Sequence, residues 1–572
     1  MIYLKREEYD AIVVGSGITG GWAAKELCEK GLRTLVLERG RNIEHGKDYI
    51  TEHKNPWEFP LRDARLKPEN KGTEDYQVQS RTGQFSESTK HFFIKDSEHP
   101  YIEAKPFTWI QGNQVGGRSI IWGRQCYRWS DLDFEANLRE GIEIDWPIRY
   151  RDIAPWYSYV ERFVGVSGEK LGLRQLPDGE FQPPMELNAA EKRLKEAIER
   201  TFPERTLTIG RCAVLTQPIG NRQPCHYCGP CHRGCSTGSY FSSVSSTLPA
   251  AQATGRLTLR PDAIVHSIIY DEEKDRATGV RYIDAKTKEM HEVYARVIFL
   301  CASTLNSTRI LLNSKTPRFP NGLANSSGVL GHYLMDHHFR VGAVGELEGL
   351  EDRYYQGNRP NGIYIPRFRN LPWDPRTKKD FLRGYGYQGG ASRSSWHRGA
   401  GQVGIGVELK SRLRDAGPWV VSLIGFGECL PRYDNYVELA EETDPWGIPM
   451  LRIHASWGEN ELAMRKDMAA AAAEMLEAAG CKNVRTYDEY REGGYGAEFG
   501  LGIHEMGTAR MGRDPKTSVL NAHNQAHDVP NLFVTDGACM TSSSCVNPSI
   551  TYMALTVRAV HYAVEEMKRR NI

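Results

Sequence analysis

Short apolar runs alternate with helix-length segments at the amino end of the chain. Tyr9 to Gly15 (YDAIVVG) is an apolar run ended by glycine, which is typical of a buried parallel strand. A helical stretch from Gly21 to Lys30 follows, and TLVLERG then predicts a second strand that ends at Glu38. Strand, helix and strand in this order predict the start of a parallel α/β sheet.

Similar patterns predict elements further along the chain. LTLRPDAIVHSIIYD and GVRYID are predicted to form a hairpin around Asp275–Thr278, and the segment 296–314 predicts a strand, a turn and a helix. PWVVSLIGFGECL is strand-like, and Glu459 to Ala479 is an amphipathic helix ended by a glycine. The chain closes with a strand in NLFVTDGACM and a helix from about Ser549 to Arg569. Residues 41–104 show no periodicity, so we expect a loop or lid there.

The turn after the first strand carries a dinucleotide fingerprint. Gly15, Gly17 and Gly20 have the G-x-G-x-x-G spacing, which gives a tight turn, close approach to a pyrophosphate and helix packing. Glu38 ends the next strand, where an acid binds ribose hydroxyls and disfavours a 2′-phosphate. Strand, fingerprint, helix, strand and acid in register therefore predict a site for FAD or NAD. A second glycine-rich turn, GNQVGGRSIIWGR, spans Gly112 to Arg124.

Size and charge exclude some classes of function. With 572 residues the chain is long enough for two or more domains with sizeable cores. Its 73 basic side chains balance 72 acidic ones, so we expect no nucleic-acid partner. No apolar stretch approaches the roughly 18–20 residues of a membrane span. The beginning, MIYLKREEYDAIVVG, lacks a signal-peptide core because four charges precede the first strand.

Four cysteines lie close together in PCHYCGPCHRGCSTG. Cys225, Cys228, Cys231 and Cys235 have the C-x2-C-x2-C-x3-C spacing that holds iron–sulfur clusters in bacterial ferredoxins, with Ser236 in place of the usual proline. Zinc is an alternative, although structural zinc sites favour two cysteine pairs separated by a longer loop. Redox disulfides are another, since Cys-x2-Cys pairs also form them. The spacing favours an iron–sulfur cluster.

The number of ligands leaves the type of cluster open. Three cysteines would suit a 3Fe–4S cluster, whereas a fourth ligand, Cys235 or Cys212, would permit 4Fe–4S. A dinucleotide fold with such a cluster passes electrons one at a time out of a two-electron cofactor. The combination predicts a dehydrogenase connected to an electron acceptor.

Several segments together resemble the glucose–methanol–choline (GMC) family of flavin oxidoreductases along most of the chain. They are the amino-terminal fingerprint, VGGRSIIWG, VIFLCASTLNSTRILL, GHYLMDHH, HEMGTARMG, NLFVTDGACM and NPSITYMALTVRAV. The last three, in that order, are highly specific. The cysteine run resembles that of the multi-subunit bacterial sugar dehydrogenases within the family, which include glucose, gluconate, sorbitol and glucoside 3-dehydrogenases.

The resemblance implies an α/β fold with a Rossmann-like FAD-binding domain and a substrate domain built on an antiparallel sheet. The FAD-binding domain is expected at 1–145, 205–315 and 500–572, with the cysteine insertion at 212–240, and the substrate-binding domain at 146–204 and 316–499. Pyranose oxidases of the family bind flavin covalently through a histidine at a position that corresponds here to Ile121. We therefore expect FAD to be bound without a covalent link.

The family motifs also imply roles for individual residues. His504 in HEMGT matches the catalytic base and Asn547 in NPSIT its partner on the substrate oxygen. The helix after Pro548 would stabilise reduced flavin with its positive amino end. Further FAD contacts are expected from Gly117, Ser119, Val265, Asp536 and Ala538, whereas His337, His338 and His454 are interpreted as structural or rim residues.

The implied function is oxidation of a secondary hydroxyl of a sugar or glycoside by hydride transfer to flavin N5. Oxidation at C3 of glucosides is favoured, with electrons leaving through the iron–sulfur cluster. Alternatives are a gluconate, 2-ketogluconate or sorbitol-type dehydrogenase, a sugar oxidase using oxygen, and a non-catalytic flavoprotein scaffold with zinc. Expected partners are a small subunit and a cytochrome c or other acceptor. The chain would be periplasmic by co-export with that subunit, or cytoplasmic.

Overall fold

Three β-sheets and the helices packed on them form the core of the molecule. A computed structural model describes residues 7–354, 357–393, 404–414 and 417–572. Its strands are Glu8–Val14 (β1), Thr34–Leu37 (β2), Ile102–Glu103 (β3), Thr208–Ile209 (β4), Leu257–Arg260 (β5), Ala263–Asp271 (β6), Arg276–Asp284 (β7), Met290–Leu300 (β8), Val341–Leu347 (β9), Ile363–Ile365 (β10), Tyr385–Arg393 (β11), Trp419–Gly427 (β12), Tyr436–Thr443 (β13), Pro449–His454 (β14), Lys482–Asp488 (β15) and Leu532–Val534 (β16). Its α-helices are Ile18–Glu29 (α1), Asp131–Phe134 (α2), Ala136–Glu140 (α3), Tyr150–Val164 (α4), Ala189–Thr201 (α5), Thr247–Ala253 (α6), Thr304–Asn313 (α7), Gly406–Arg414 (α8), Glu459–Ala478 (α9) and Ser549–Arg569 (α10).

The first sheet has the parallel arrangement of a dinucleotide-binding fold. Strands β5, β2, β1 and β8 lie side by side in that order, and β16 pairs with the carboxyl half of β8. The antiparallel hairpin of β6 and β7 pairs with the amino half of β8. The strands β1 and β2 are apolar and buried because α1 covers one face of the sheet. Their carboxyl ends all open toward the same edge, where such folds bind ligands.

The second sheet is antiparallel, in the order β15, β9, β12, β11, β10 and β4. Strand β12 alternates strictly between its two faces. Trp419, Val421 and Leu423 are buried in the core formed with α5 and α9, so Ile424 and Phe426 point to the opposite face. That second face borders a cavity. A small third sheet consists of β13, β14 and β3.

Most predicted elements are present, with one correction. The run LTLRPDAIVHSIIYD was expected to be one arm of a hairpin, but it contains two strands. Pro261 lacks an amide hydrogen and Asp262 adopts φ +56°, so the chain breaks there. Leu257–Arg260 joins β2 in parallel, and only Ala263–Asp271 pairs with Arg276–Asp284 in the hairpin.

The α/β fold with a parallel nucleotide-binding sheet and an antiparallel substrate sheet is confirmed, whereas the domain boundaries stay a prediction. Across the part of the chain that the structure describes, none of the helices has the length and apolar character needed to cross a bilayer.

Candidate active site

A cavity of about 760 Å³ lies between the first and second sheets. One side is lined at the carboxyl ends of the parallel strands, by residues such as Val14, Leu37 and Cys301. The other side is the second face of the antiparallel sheet, with Ile424 and Phe426. The cavity therefore begins where an α/β sheet binds its nucleotide, and it extends from there to the antiparallel sheet.

The first glycine turn is shaped for a group that approaches its backbone. Gly15 has φ +94°, and a Cβ on it would lie 2.5 Å from the Cys301 carbonyl oxygen. A Cβ on Gly20 would lie 1.9 Å from the Gly15 carbonyl oxygen, so α1 requires glycine to pack this close to β1. A Cβ on Gly17 meets nothing within 4 Å, and Gly17 lines the cavity. The turn thus leaves room at Gly17 for a bound phosphate group.

Glu38 lies in the cavity wall beside this turn. Its Oε2 accepts hydrogen bonds from Ser16 N at 3.1 Å and from Ser16 Oγ at 2.5 Å, and its Oε1 accepts one from Gly40 N at 2.9 Å. Burial raises the pKa of this carboxyl although these three bonds lower it. The placement is consistent with the expected ribose contact, which stays a prediction.

The two glycine-rich turns meet at the cavity. Gly116 N donates to Ser16 Oγ at 3.0 Å, and a Cβ on Gly117 would come within 3.4 Å of Gly17 Cα. Gly117, Ser119, Val265 and Asp536 all line the cavity, as expected, whereas Gly20 and Ala538 are not among its lining residues. Ala538 contributes through its amide, which donates to Asp536 Oδ1 at 3.0 Å. Burial raises the pKa of Asp536 to about 6.

His504 and Asn547 come together at the cavity, as the motifs predicted. Asn547 Nδ2 lies 3.4 Å from His504 Nε2, and both residues line the cavity. Asn547 and Pro548 directly precede α10. The amino end of this helix also faces the cavity. Asn547 Oδ1 accepts a hydrogen bond from Gln388 Nε2 at 2.6 Å, so strand β11 holds the amide in position.

His337, which the sequence analysis interprets as a structural or rim residue, contacts the predicted base. Its Nδ1 lies 2.8 Å from His504 Nδ1. The side chain is only 1% exposed, so this contact belongs to the protein interior behind the cavity wall. His337 therefore belongs to the site, and the sequence offered GHYLMDHH as its only signal.

The loop that carries His504 is anchored by carboxylates. Asp336 Oδ1 accepts hydrogen bonds from His337 N at 2.8 Å and His504 N at 3.0 Å, and Oδ2 accepts one from Gly502 N at 2.9 Å. Glu505, the next residue, forms a two-pronged ion pair with Arg118 at 2.9 and 3.1 Å. Burial, with the charge of Glu505, raises the pKa of Asp336 to about 8. These contacts fix the position of the histidine backbone.

His504 is electrically neutral in this environment. Burial lowers the pKa of its imidazole well below the ordinary value, and His337 and the Arg118 charge lower it further. A neutral imidazole has one unprotonated nitrogen, which can accept a proton.

The comparisons with known proteins identify the family. Two protein-family models, both described as GMC oxidoreductase, match this chain, one over residues 9–339 and the other over residues 431–556. The chain belongs to the GMC oxidoreductase family.

Relatives extend over nearly the whole chain. A 2-methyl-1,2-propanediol dehydrogenase of Mycolicibacterium austroafricanum is 29% identical and covers 97% of this chain and 95% of its own length. The fructose dehydrogenase large subunit of Gluconobacter japonicus is 26% identical, with 98% of each chain covered. The crystal structure of pyridoxine 4-oxidase from Mesorbium loti matches with a TM-score of 0.60 at 16% identity, over 97% of this chain and 99% of that one.

Membership makes this chain an FAD-binding oxidoreductase that acts on alcohol or sugar hydroxyls. The cavity of this GMC protein fits the cofactor. The Tyr552 hydroxyl and two guanidinium nitrogens of Arg124 are buried without a hydrogen-bond partner, and both residues line the cavity. Buried polar atoms of this kind are expected to find partners, and FAD offers oxygen and nitrogen atoms to them.

The four clustered cysteines line a second, small cavity. They are free thiols, as is Cys212, which is buried in the small apolar cluster against which Cys225 packs. Burial, together with the charges of Cys231, Cys235 and Cys228, raises the pKa of Cys225 to about 11. Within the described ranges, no group of three or more His, Cys, Asp or Glu side chains is arranged to hold a metal ion. The thiols share a cavity, and their assignment as cluster ligands stays a prediction.

The wall between the two cavities is thin. His232 follows Cys231 directly, lines the larger cavity, and places its Nδ1 3.0 Å from the Ile121 carbonyl oxygen. Tyr240 lines the smaller cavity and donates its hydroxyl to the Trp122 carbonyl oxygen at 2.8 Å. The glycine-rich turn of the GMC fold is thus in direct contact with the cysteine segment.

Proposed function

We propose that this protein is an FAD-dependent dehydrogenase that oxidises a secondary hydroxyl of a sugar or glycoside, with C3 of glucosides favoured. The observation that carries the proposal is the pair of His504 and Asn547 at the wall of a cavity that fits FAD. A neutral histidine beside an amide donor can accept the hydroxyl proton while the amide holds the same oxygen.

The reaction divides between cofactor and protein. FAD, when bound, supplies a two-electron acceptor that takes the hydride from carbon. His504 Nε2 accepts the hydroxyl proton, so a C–H and an O–H bond break and a C=O bond forms. Asn547 Nδ2 donates to the oxygen before and after this change. The amino end of α10 places partial positive charge at the cavity, which favours the negative charge left after hydride transfer.

The substrate wall is suited to a polyol. Arg340, Glu489 and Tyr487 line the cavity on the side of the antiparallel sheet, and each brings hydrogen-bonding groups. Phe426 lines the same side and stacks on Phe339, which gives an apolar face for a sugar ring. The preference for C3 rests on the resemblance of the cysteine run to that of glucoside 3-dehydrogenases.

We infer that electrons leave through an iron–sulfur cluster held by Cys225, Cys228, Cys231 and Cys235, or by three of them with Cys212. Such a cluster would supply a one-electron carrier. The inference is supported by the spacing, by the shared cavity and by Arg124, a buried cation. Burial lowers the pKa of its guanidinium, but the charges of Tyr240, Cys231 and Cys212 together raise that pKa above its ordinary value. A small subunit and a cytochrome c or other acceptor would receive the electrons.

A second candidate is a dehydrogenase of the gluconate, 2-ketogluconate or sorbitol type. The full-length similarity to a fructose dehydrogenase large subunit favours it. Its substrates are open-chain or differently oxidised polyols, so substrate choice separates it from the first candidate.

The test is anaerobic bleaching of the bound flavin by a panel of methyl glucosides, gluconate and sorbitol. Methyl β-glucoside should bleach the flavin and give a 3-keto product by NMR, whereas its 3-deoxy analogue should not. Bleaching by gluconate or sorbitol alone would support the second candidate. Rapid reoxidation by oxygen without iron in the protein would indicate an oxidase, and no bleaching with zinc present would indicate a scaffold.

A further inference from the structure

The contact between His337 and His504 joins two ring nitrogens, and only one of them can carry the shared proton. The Nδ1 atoms lie 2.8 Å apart, which is a hydrogen-bond distance. In a neutral pair one nitrogen donates and the other accepts. The direction of this bond decides whether His504 presents a lone pair or an N–H group to the cavity.

The other side of His337 sets the direction. Its Nε2 faces the carbonyl oxygens of Ser544 at 2.8 Å and Ser543 at 3.2 Å. A carbonyl oxygen only accepts, so Nε2 must carry hydrogen. If instead Nε2 were unprotonated, two acceptors would face a lone pair in the protein interior.

These carbonyls are held in place. Ser544 adopts φ +55°, and its hydroxyl donates to Asp133 Oδ1 at 2.6 Å. The Ser543 hydroxyl donates to the Cys429 carbonyl oxygen at 2.9 Å and accepts from Cys429 N at 3.0 Å. The peptide groups that face His337 are therefore fixed by contacts on both serine side chains.

The state of His337 follows from its burial. Burial lowers its pKa to about 4, so at neutral pH it carries one proton, which is the one on Nε2. Its Nδ1 is then an acceptor, and His504 Nδ1 is the donor of the shared bond. Neutral His504 with hydrogen on Nδ1 has its lone pair on Nε2. That atom faces Asn547 Nδ2 and the cavity.

We propose that His337 is a positioning residue that fixes His504 in the tautomer with hydrogen on Nδ1 and the lone pair on Nε2. The hydrogen bonds run in one direction, from His504 Nδ1 to His337 Nδ1 and from His337 Nε2 to the carbonyls of Ser543 and Ser544. The proposal rests on the proposed function, in which His504 Nε2 takes the substrate proton. Without His337 the imidazole could place its hydrogen on Nε2 or rotate, and the base would be present in only part of the molecules.

Two variants separate the hydrogen bonds of His337 from the volume of its side chain. His337→Gln offers an oxygen to His504 Nδ1–H and an N–H to the Ser544 carbonyl, so it preserves the direction of the bonds. His337→Leu has similar volume and offers neither. We expect His337→Leu to slow anaerobic flavin reduction about 10–10²-fold with FAD content and substrate KM little changed, and His337→Gln to remain within a few-fold of wild type.

The same substitutions in a His504→Ala background test whether His337 acts through His504. We expect His337→Leu to have no further effect there, because no tautomer remains to be fixed. An equal additional loss would show a merely structural role, and equal loss in the Gln and Leu variants would show that polarity is irrelevant. Either result overturns the proposal. If His504→Ala alone reduces flavin at the wild-type rate, the proposed function fails instead.

A direct measurement covers the case in which His337→Leu does not fold. The wild-type holoenzyme with ¹⁵N-labelled histidine should show a protonated Nδ1 and an unprotonated Nε2 for His504. The resonance is assigned by its absence in His504→Ala. The opposite tautomer, or averaging between the two, overturns the proposal whatever the activities are.

Discussion

Gln388 donates a hydrogen bond to Asn547 across the boundary between the antiparallel sheet and the start of α10. The distance from Gln388 Nε2 to Asn547 Oδ1 is 2.6 Å, and it directs Asn547 Nδ2 toward His504. An isolated amide could turn either end to the cavity. The bond from β11 therefore connects a strand of the antiparallel sheet to the amide that faces His504.

His504→Ala should reduce bound flavin far more slowly when substrate is added anaerobically. Loss of a general base costs about 10²–10⁴-fold, or roughly 3–5 kcal/mol of barrier. FAD content and overall fold should be unchanged, because the loop is held through the backbone by Asp336. The measurement is stopped-flow bleaching across pH. A wild-type rate with normal pH dependence would falsify the assignment of the base.

Asn547→Ala should lose less than His504→Ala, because it removes a hydrogen bond and no proton acceptor. A loss of about 2- to 10-fold is expected, since one such bond contributes roughly 0.5–1.5 kcal/mol. Gln388→Leu should show part of this loss, because it frees the Asn547 amide without removing it. Combined with Asn547→Ala it should add nothing further. Two fully additive losses would mean that Gln388 acts on the substrate independently.

Cys228→Ser should remove iron and inorganic sulfide while leaving FAD bound. Cys228 is exposed and lines the small cavity, so serine should be tolerated there without disturbing the core. The matched control is Cys481→Ser, a buried cysteine in the helix-covered core of the antiparallel sheet. Metal content by mass spectrometry decides the question. Unchanged iron in Cys228→Ser, or zinc in the wild-type protein, would overturn the cluster assignment.

FAD should leave the protein completely on acid precipitation. Ile121 lines the cavity at the position that the resemblance matches to the linking histidine of pyranose oxidases, and an aliphatic side chain offers no nucleophile. All yellow colour should appear in the supernatant. Colour in the pellet would direct attention to His232, His266 or Cys301, which also line the cavity and can form covalent bonds.

Asp336→Asn should gain stability relative to wild type as pH rises from about 5 to 8. The folded protein keeps the Asp336 proton up to a pKa of about 8, whereas the unfolded chain loses it near 3.8. Wild-type stability therefore falls with pH across this window, and the neutral amide has no such dependence. The difference in Tm, variant minus wild type, should increase by a few °C. A difference that stays constant with pH would contradict a buried protonated carboxyl.

The sequence predicts the role of a residue best when that role depends on neighbouring residues in the chain. The turn at Gly15, Gly17 and Gly20 was predictable because the spacing of the three glycines alone indicates it. His504 and Asn547 lie 43 positions apart, and both were predicted as site residues because family motifs surround them. Gln388 had no such signal: its role arises from the pairing of β11 with β12, which puts it on the cavity face.

Contacts between distant parts of the chain also explain why the sequence did not distinguish His337 from His338. His337 and His338 are neighbours in the sequence and share a motif, but only His337 contacts His504. The difference comes from the loop at Ser543 and Ser544, far along the chain, which accepts hydrogen bonds from the first ring. Side-chain direction within a motif depends on such distant partners. Sequence reasoning could match the motif to the family and could not choose between its histidines.

The cavity draws its walls from both ends of the polypeptide, with Gly15 near one end and Asn547 near the other. A ribosome adds about 5–20 residues per second, so the 572 residues take roughly half a minute to two minutes. During that time β1 lacks its pairing partner β8, and α1 lacks the packing of α10. The cavity for FAD is complete only after α10 has been synthesised. Nascent chains of this protein should therefore expose apolar surface until this helix has been made.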